Sequence, residues 1–203
     1  MATPLPKQRR NNRREQVLDA AAGLFVEKGF IGTSTRDIAK ATGMLPGSLY
    51  YHFTSKEDLL VAVFGEGVQR ISESVDAALD AAGPDPWERL QAASAAHMST
   101  LLEGSNYARV VIRILPSDIS GVEKTLVLLR NAYEARFTEL FDALPLDAQT
   151  DRSVLRLMHI GAMNHVPVWY RKGRDTPVGL AQKFINTLHN AQIGTARDIQ
   201  SGE

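Results

Sequence analysis

The sequence predicts an all-α protein of about nine helices, and three observations carry that prediction. Apolar residues recur at spacings of three and four through most of the 203 residues, which is the period of an amphipathic helix. Long stretches of alternating apolar and polar residues, the pattern of strands, do not occur. No unit of roughly 20–50 residues repeats. The pattern indicates a three-helix N-terminal domain followed by a larger helical domain.

The first helix is predicted from about residue 12 to residue 28. Val17, Ala21 and Phe25 belong to its apolar stripe, in which residues follow one another at spacings of three and four. Gly29 ends the helix because glycine readily takes the left-handed backbone conformation that a helix end often requires.

Two short helices follow and are joined by a turn that contains Gly43. Ser34, with Asp37 three residues later, resembles a capping box and begins the first of them. The second spans about residues 45–51 and accommodates Pro46 in its first turn, where the missing N–H has no helical partner in any case. Two such helices joined by a glycine-containing turn form a helix-turn-helix.

The next helix is long and amphipathic. It begins at a second capping pair, Ser55 and Asp58, and ends near residue 81. A Gly-Pro-Asp-Pro break follows it. Five further helices are separated by residues that favour turns, and their predicted ranges are 86–103, 106–115, 121–143, 149–171 and 177–191. Pro167 lies inside the fourth of these and is expected to kink it or end it early.

Composition excludes several kinds of site. The chain contains no cysteine, which excludes disulfides, thiolate zinc sites, cysteine-ligated iron–sulfur clusters and cysteine nucleophiles. No metal site is predicted, since His159 and His165 are six residues apart and do not share a helix face. No apolar run approaches the roughly 20 residues that span a bilayer, and we expect a cytoplasmic location without membrane contact.

The net charge is zero, but the front of the chain is basic. Residues 1–14 hold five Lys or Arg side chains, including Arg14, and no acid. A basic segment of this kind suits a polyanion such as DNA, either along the phosphates or in the minor groove. The alternative is a solvated tail.

The second helix of the predicted helix-turn-helix has side chains suited to DNA. In such a motif this helix enters the major groove while the first crosses the backbone. Its outer residues are small or polar, as at Gly47, Ser48 and Tyr50, and hydroxyls can donate to phosphate oxygens. Leu49 and Phe53 supply the apolar inner side.

Two cations flank this helix. Arg36, in the first turn of the preceding helix, is the best candidate for a base contact because a guanidinium can form a fork onto guanine O6 and N7. Lys56 lies in the first turn of the next helix, where a cation opposes the helix dipole and a phosphate contact would explain it. Tyr51 and His52 also face outward, with packing as the alternative for each.

Residues 33–39, 47–53 and 55–60 together resemble the signature of the TetR family of transcriptional repressors, and the resemblance covers about residues 13–62. It implies a homodimer of nine-helix subunits, a palindromic operator in double-stranded DNA and a small-molecule effector that releases the repressor. The positions that it makes DNA-facing are Ser34, Thr35, Arg36, Pro46, Gly47, Ser48, Tyr50, Tyr51, His52 and Lys56. Met44-Leu45-Pro46 stands where many members carry a small polar or charged base reader.

The charge pattern and the helical layout predict a division of the chain. We expect a basic flexible arm over residues 1–11, a helix-turn-helix domain over 12–54, a ligand-binding and dimerisation domain over 55–193, and a frayed tail over 194–203. By the family resemblance, the last two helices would form a four-helix dimer interface with their mates, the alternative being that they are only subunit core. The predicted interface residues are Val154, Met158, Ala162, Val166, Ala181, Phe184, Ile185 and Leu188.

An effector pocket is expected among the helices of the larger domain. The predicted lining residues are His97, Met98, Leu101, Tyr107, Arg109, Arg113, Met163, Asn164 and Trp169. For the apolar and aromatic ones the alternative is plain subunit core. Arg109 and Arg113 lie one turn apart and would suit a carboxylate or phosphate, with surface ion pairing to Asp118 or Glu123 as the alternative. The stretch from Gly161 to Tyr170 is similar to one in TetR-type regulators of fatty-acid and steroid catabolism, which favours an acyl-CoA or related acid.

Other classes of function are kept as alternatives. The sequence contains no nucleophile elbow, phosphate loop, zinc-protease motif or dinucleotide fingerprint, so neither a cofactor nor an enzyme is predicted. A cofactor-free helical enzyme is a remote alternative. An activator, or a DNA-binding protein that responds to no effector, is the nearer one.

Overall fold

The computed structural model describes the backbone of residues 6–200 and the side chains of residues 12–190. Within residues 6–200 the chain forms nine α-helices, one short 3-10 helix at Pro116–Asp118 and no strand, as the sequence predicts. The α-helices are α1 Pro6–Lys28, α2 Thr35–Ala41, α3 Pro46–Tyr50, α4 Lys56–Ala81, α5 Pro86–Leu102, α6 Asn106–Arg113, α7 Glu123–Ala143, α8 Arg152–Trp169 and α9 Pro177–Gln200.

Several helix ends differ from the sequence prediction. α1 begins at Pro6 instead of residue 12, and α9 continues to Gln200, past the predicted end near residue 191. α8 contains Pro167 and ends two residues later at Trp169. The predicted arm over 1–11 and tail over 194–203 lie partly outside the described residues, and the predicted domain boundaries stay predictions.

The helix-turn-helix belongs to the first of two compact units, which comprises residues 1–69 and 104–130. In this unit α1 packs against α2 and α6, and α2 packs against α3. Its fully buried side chains include Val17, Ala21, Ile38, Leu49, Leu59, Phe64 and Val110. The unit therefore contains α6 as well as the helices that the sequence assigns to DNA binding.

Two close contacts hold α6 in this unit. A Cβ added at Gly67 of α4 would lie 2.7 Å from the carbonyl oxygen of Tyr107 and 2.7 Å from a methyl carbon of Val111, so only glycine permits this approach. The Tyr107 hydroxyl donates a hydrogen bond of 2.8 Å to Asp19 Oδ1 of α1. α6 is thus packed closely against α4 and bonded to α1.

The second unit comprises residues 70–103 and 131–203, and in it α5 packs against α8 and α9. Its core includes Leu90, Met98, Phe137, Phe141, Met163 and Ala181. Arg136 donates from Nε to Asp76 Oδ1 at 2.5 Å and from Nη2 to Oδ2 at 2.7 Å. This forked pair lowers the pKa of Asp76.

Candidate nucleic-acid interface and effector region

The start of α2 is fixed by the predicted capping box. The Ser34 hydroxyl accepts a hydrogen bond from the Asp37 backbone N–H at 3.1 Å, and the Ser34 backbone N–H donates to Asp37 Oδ2 at 2.9 Å. The Ser34 hydroxyl and backbone bonds, together with Lys28, lower the pKa of the Asp37 carboxyl. The capping box is confirmed, and it fixes the first turn of α2, where Thr35 and Arg36 lie.

The residues in and just after α3 are buried or exposed as the helical period predicts. Leu49 and Phe53 are buried, whereas Tyr50 is exposed and the Tyr51 side chain retains 70% of its accessible surface. Pro46 occupies the first turn. The Tyr51 ring packs edge-on to His52 with 5.3 Å between ring centroids. The outer side of α3 therefore presents tyrosine hydroxyls to solvent.

Gly47 has open space beside it. A Cβ added there would meet no atom of the described chain within 4 Å, and its backbone φ is not positive. Neither packing nor backbone conformation in the free protein requires glycine at this position. Ser48 beside it is half-buried, and the Tyr50 hydroxyl lies 3.4 Å from Thr35 Oγ1, which links α3 to α2.

Lys56 has structural partners that the sequence analysis did not anticipate. Its ammonium donates to the carbonyl oxygens of Phe30 at 2.8 Å and Thr33 at 2.9 Å, and lies 4.2 Å from the centroid of the Phe30 ring. Lys56 therefore holds the turn between α1 and α2 against the start of α4. An ammonium has three donors, so one is left for a phosphate.

The two predicted arginines of this surface differ in their surroundings. Arg36 is exposed on α2. The guanidinium carbon of Arg14 lies 5.2 Å from the centroid of the Phe53 ring, a cation–π contact between α1 and the residue that follows the helix-turn-helix. Arg36 extends into solvent at the surface where α3 exposes its tyrosines.

A buried polar relay lies in the second unit. His97 on α5 contacts the Tyr133 hydroxyl through Nδ1 at 2.5 Å and Asn164 Oδ1 through Nε2 at 3.0 Å. A carbonyl oxygen can only accept, so His97 Nε2 carries the proton and Nδ1 accepts from Tyr133. Tyr133 was not among the predicted residues. Its spacing of four from Phe137 on the apolar face of α7 is the only sequence signal for it.

Both buried histidines of the second unit are held neutral. Burial lowers the pKa of His97 to about 4 and that of His159 to about 4. His159 Nε2 lies 2.8 Å from the hydroxyl of Ser94, which itself donates to the Leu90 carbonyl oxygen. Ser94 therefore accepts from His159 Nε2, and this second polar pair is also satisfied inside the core.

The predicted effector residues fall into both units. Met98, Leu101 and Met163 are buried in the second unit near the relay residues, and Trp169 is exposed beside a cavity of about 260 Å³ at the end of α8. Tyr107, Arg109 and Arg113 belong to α6 in the first unit. No carboxylate among the described residues pairs with either arginine, and Arg113 Nη1 donates to the Val26 carbonyl oxygen at 3.2 Å.

The predicted interface residues differ in how far they are exposed to solvent. Val154, Met158 and Ala162 lie on an exposed face of α8, and the Met158 side chain retains 65% of its accessible surface. Leu157 and Val168 continue this apolar face. Val166, Ala181 and Ile185 are buried in the subunit itself, whereas Phe184 and Leu188 are half-buried.

The described residues contain neither a membrane-spanning helix nor a metal-binding cluster. No helix in that part of the chain is long and apolar enough to cross a membrane. No group of three or more acidic or histidine side chains there could hold a metal ion.

Two family models match the chain. The one described as bacterial regulatory proteins of the tetR family matches residues 17–63, which include α2 and α3. The one described as a tetracyclin repressor-like C-terminal domain matches residues 83–191, more than half of the chain.

Several known proteins are similar to it. The repressor KstR2 of Rhodococcus jostii is 53% identical over 51 residues, 25% of this chain and 25% of the repressor, so only a quarter of that relative's length is matched. The activator FasR of Mycolicibacterium smegmatis is 28% identical over 187 residues, 91% of this chain and 84% of the activator. The structure of AibR in complex with isovaleryl coenzyme A and operator DNA shares the fold, with a TM-score of 0.75, 24% identity and coverage of 86% of this chain and 97% of AibR.

These matches exclude the enzyme alternative, because members of the matched family are DNA-binding transcription factors and not enzymes. They also account for the helix-turn-helix in the first unit and the helical second unit. The chain belongs to the tetR family of bacterial regulatory proteins.

Proposed function

We propose that this regulator represses transcription by binding a palindromic operator as a homodimer, and that a small hydrophobic or acidic effector, with acyl-CoA thioesters as the first candidates, releases it. The observation that carries the proposal is the outer surface of α2 and α3. Arg36, Tyr50 and Tyr51 are exposed there, and Gly47 faces open space. Such a surface can approach DNA closely and donate to phosphates and base edges.

Base reading then depends on few side chains. Leu45, the residue before α3, is exposed and apolar, and Pro46 has no N–H to donate. Arg36 is the side chain on this surface best suited to a bidentate contact with guanine. We expect the exposed Leu45 to contribute van der Waals contact with thymine methyl groups, and DNA shape to contribute the remaining selectivity.

The homodimer is supported by the exposed apolar face of α8. Along one side of that helix lie Val154, Leu157, Met158, Ala162 and Val168, at spacings of one to six. We assign the contact to this face, with the buried Val166, Ala181 and Ile185 packing behind it within the subunit. A two-fold axis would place two reading surfaces one DNA turn apart, which a palindromic operator requires.

A single charged substitution tests the proposed dimer contact. Met158→Asp places a carboxylate in the centre of the proposed interface, and sedimentation equilibrium should then report a monomer. Leu128→Asp is the matched control, because Leu128 is an equally exposed apolar side chain on α7. A Met158→Asp protein that remains a dimer would move the interface elsewhere.

The effector region is supported by the relay on α5, α7 and α8. His97, Tyr133 and Asn164 are polar groups in an otherwise apolar core, and an entering carbonyl or thioester group could take over one of their hydrogen bonds. AibR was solved with isovaleryl coenzyme A, which makes an acyl-CoA the first effector to try. The hypothesis also follows from the similarity of residues 161–170 to regulators of fatty-acid and steroid catabolism.

Release is proposed to act through α6. Tyr107 bonds to α1, and Gly67 brings α4 against the α6 backbone, so a shift of α6 cannot occur without a change at both helices. α1 packs against α2, which carries Arg36. The effector must favour the released form by several kcal/mol, since each 1.4 kcal/mol changes the equilibrium about tenfold.

The test is a fluorescence-anisotropy titration of the protein onto DNA from its own upstream region, with and without a panel of acyl-CoA thioesters. We expect tight binding to this DNA that is lost when one of the thioesters is added. Tight binding that no thioester releases would reject the acyl-CoA effector while keeping the DNA-binding regulator. Failure to bind both this DNA and DNA selected from random sequence would contradict the operator proposal.

An activator is the second candidate, because the relative that matches 91% of the chain is named as one. The DNA-binding surface is the same in both cases. A reporter gene placed behind the upstream region distinguishes them, since loss of the regulator raises expression for a repressor and lowers it for an activator.

A further inference from the structure

The first compact unit contains a cavity of about 340 Å³ that lies apart from the outer surface of α2 and α3. One wall is formed by the end of α1 and the turn that follows it, residues 25–32. The other wall is formed by the end of α6 and the segment after it, residues 113–119. Both walls lie in the same unit, so the cavity is complete within it.

Apolar side chains form much of the cavity lining. Phe25, Phe30 and Ile119 are buried at its walls. At the same cavity, Ile31 retains 81% of its accessible surface and Leu115 retains 51%. Single exposed apolar side chains are ordinary on protein surfaces, but two that line one cavity with a buried aromatic floor offer a hydrocarbon chain a place to leave water.

Cationic groups at the cavity complement this apolar lining. Arg113 uses one N–H on the Val26 carbonyl oxygen at 3.2 Å, and a guanidinium has five donors, so a fork remains for a carboxylate. Lys28 lines the same cavity, with its ammonium 3.7 Å from Asp37 Oδ1. Asp118 is the one acid among the lining residues, and it accepts a hydrogen bond of 3.4 Å from Ser117.

We propose that this cavity is a second small-molecule site, which binds a medium-chain aliphatic carboxylate with its chain against Phe25 and Phe30 and its carboxylate on Arg113. The volume of about 340 Å³ holds about eleven water molecules of about 30 Å³ each, which corresponds to a chain of about ten carbons. The ligand bridges the turn that leads into α2 and the end of α6, and it stabilises the arrangement of these two segments.

The site is separate from the proposed effector region, and its test needs no DNA. The full-length, ¹⁵N-labelled protein is titrated with sodium decanoate, and affinity is measured by calorimetry. The expected result is a shift of the backbone amides of residues 29–32 and 114–119. Arg113→Gln should weaken binding about tenfold, the worth of one charge-assisted hydrogen bond, and decan-1-ol should bind the unaltered protein about tenfold more weakly than decanoate.

Matched variants locate the binding. Leu115→Asp, at the cavity, should weaken decanoate binding, whereas Leu128→Asp, an exposed leucine of the same unit that does not line the cavity, should not. Arg171→Gln removes a guanidinium from the cavity at the end of α8 and should also have no effect. The proposal is overturned by amide shifts confined to other segments, by equal losses in the controls, by equal binding of decanol, or by the absence of binding. None of these outcomes bears on operator binding.

Discussion

The outer surface of α2 and α3 and the relay of the second unit use polar side chains in opposite ways. On the surface, Arg36 and the tyrosines of α3 extend into solvent, where a partner can reach them. In the relay, His97 and Tyr133 are buried and each polar atom already has a partner. An exposed donor is ready for DNA at little cost, whereas a buried donor must exchange one hydrogen bond for another when a ligand enters. The proposed DNA recognition and the proposed effector release would therefore have different physical bases in this molecule.

The largest expected effect is a loss of stability at low pH, which comes from the buried histidines of the second unit. The pKa of His97 and of His159 is about 4 in the folded protein against about 6.5 unfolded, so the unfolded chain takes up protons first as the pH falls. Their contribution is fully present above pH 6.5 and is lost between pH 6.5 and 4, at about 3 kcal/mol each. Urea unfolding at pH 7 and pH 5 measures the part of this loss that falls between pH 6.5 and pH 5, about 2 kcal/mol for each histidine.

A matched histidine provides the control for that experiment. His165 lies on α8, as His159 does, but is exposed. The His165→Gln protein should show the same loss of stability between pH 7 and pH 5 as the unaltered protein. A free energy of unfolding that does not change over this interval would show that the buried histidines are not held neutral by the fold.

Lys56→Ala tests a residue for which we propose both roles, a structural contact within the protein and a contact with DNA phosphate. Its two hydrogen bonds to carbonyl oxygens are lost, which we expect to cost about 2 kcal/mol of stability. Affinity for DNA should also fall by a similar factor for operator and for random sequence. Thermal unfolding and anisotropy titration on both DNAs measure the two effects. Unchanged thermal stability would contradict the structural role.

Two tyrosine variants compare the loss of a hydroxyl group in the buried relay with the same loss at the exposed surface of α2 and α3. Tyr133→Phe removes the hydrogen bond to His97 Nδ1 and should cost about 1–3 kcal/mol of unfolding free energy without changing operator affinity. Tyr51→Phe removes the same hydroxyl group from an exposed site and should change stability by no more than about 0.5 kcal/mol, while it weakens DNA binding. Equal stability losses in the two variants would remove the distinction between the regions.

Arg36→Ala should affect recognition alone. Its side chain is exposed, so we expect no change in unfolding free energy. Operator affinity should fall by about 1–3 kcal/mol, and preference should relax at the base pair that Arg36 reads. The measurement is anisotropy on a set of single-base operator variants. A uniform loss across all sequences would reassign Arg36 to a phosphate contact.

The sequence predicted the local features of the fold well, because the signals for them are local. The capping box at Ser34, the first-turn Pro46 and the buried pair Leu49 and Phe53 depend on residues a few positions apart. The packing of α6 in the first unit was not predicted, since it depends on Gly67 approaching a distant backbone.

The partners of the functional side chains were harder to predict. Lys56 bonds to carbonyl groups 23 and 26 residues earlier in the chain, and no sequence period reports such a contact. Tyr133 looks like an ordinary core aromatic until His97 is seen beside it. Sequence patterns indicated which side chains face outward on α3, but not which of them already have partners within the protein.

The open space beside Gly47 means that selection for stability and selection for DNA binding should favour different residues at this position. Glycine in a helix is less favourable than alanine by up to about 1 kcal/mol, and nothing in the described chain compensates for it at this exposed position. A library selected only for thermal stability should therefore accumulate alanine at residue 47. In the DNA complex that we propose, the same methyl group would stand between α3 and the DNA, so the more stable variants should bind DNA more weakly.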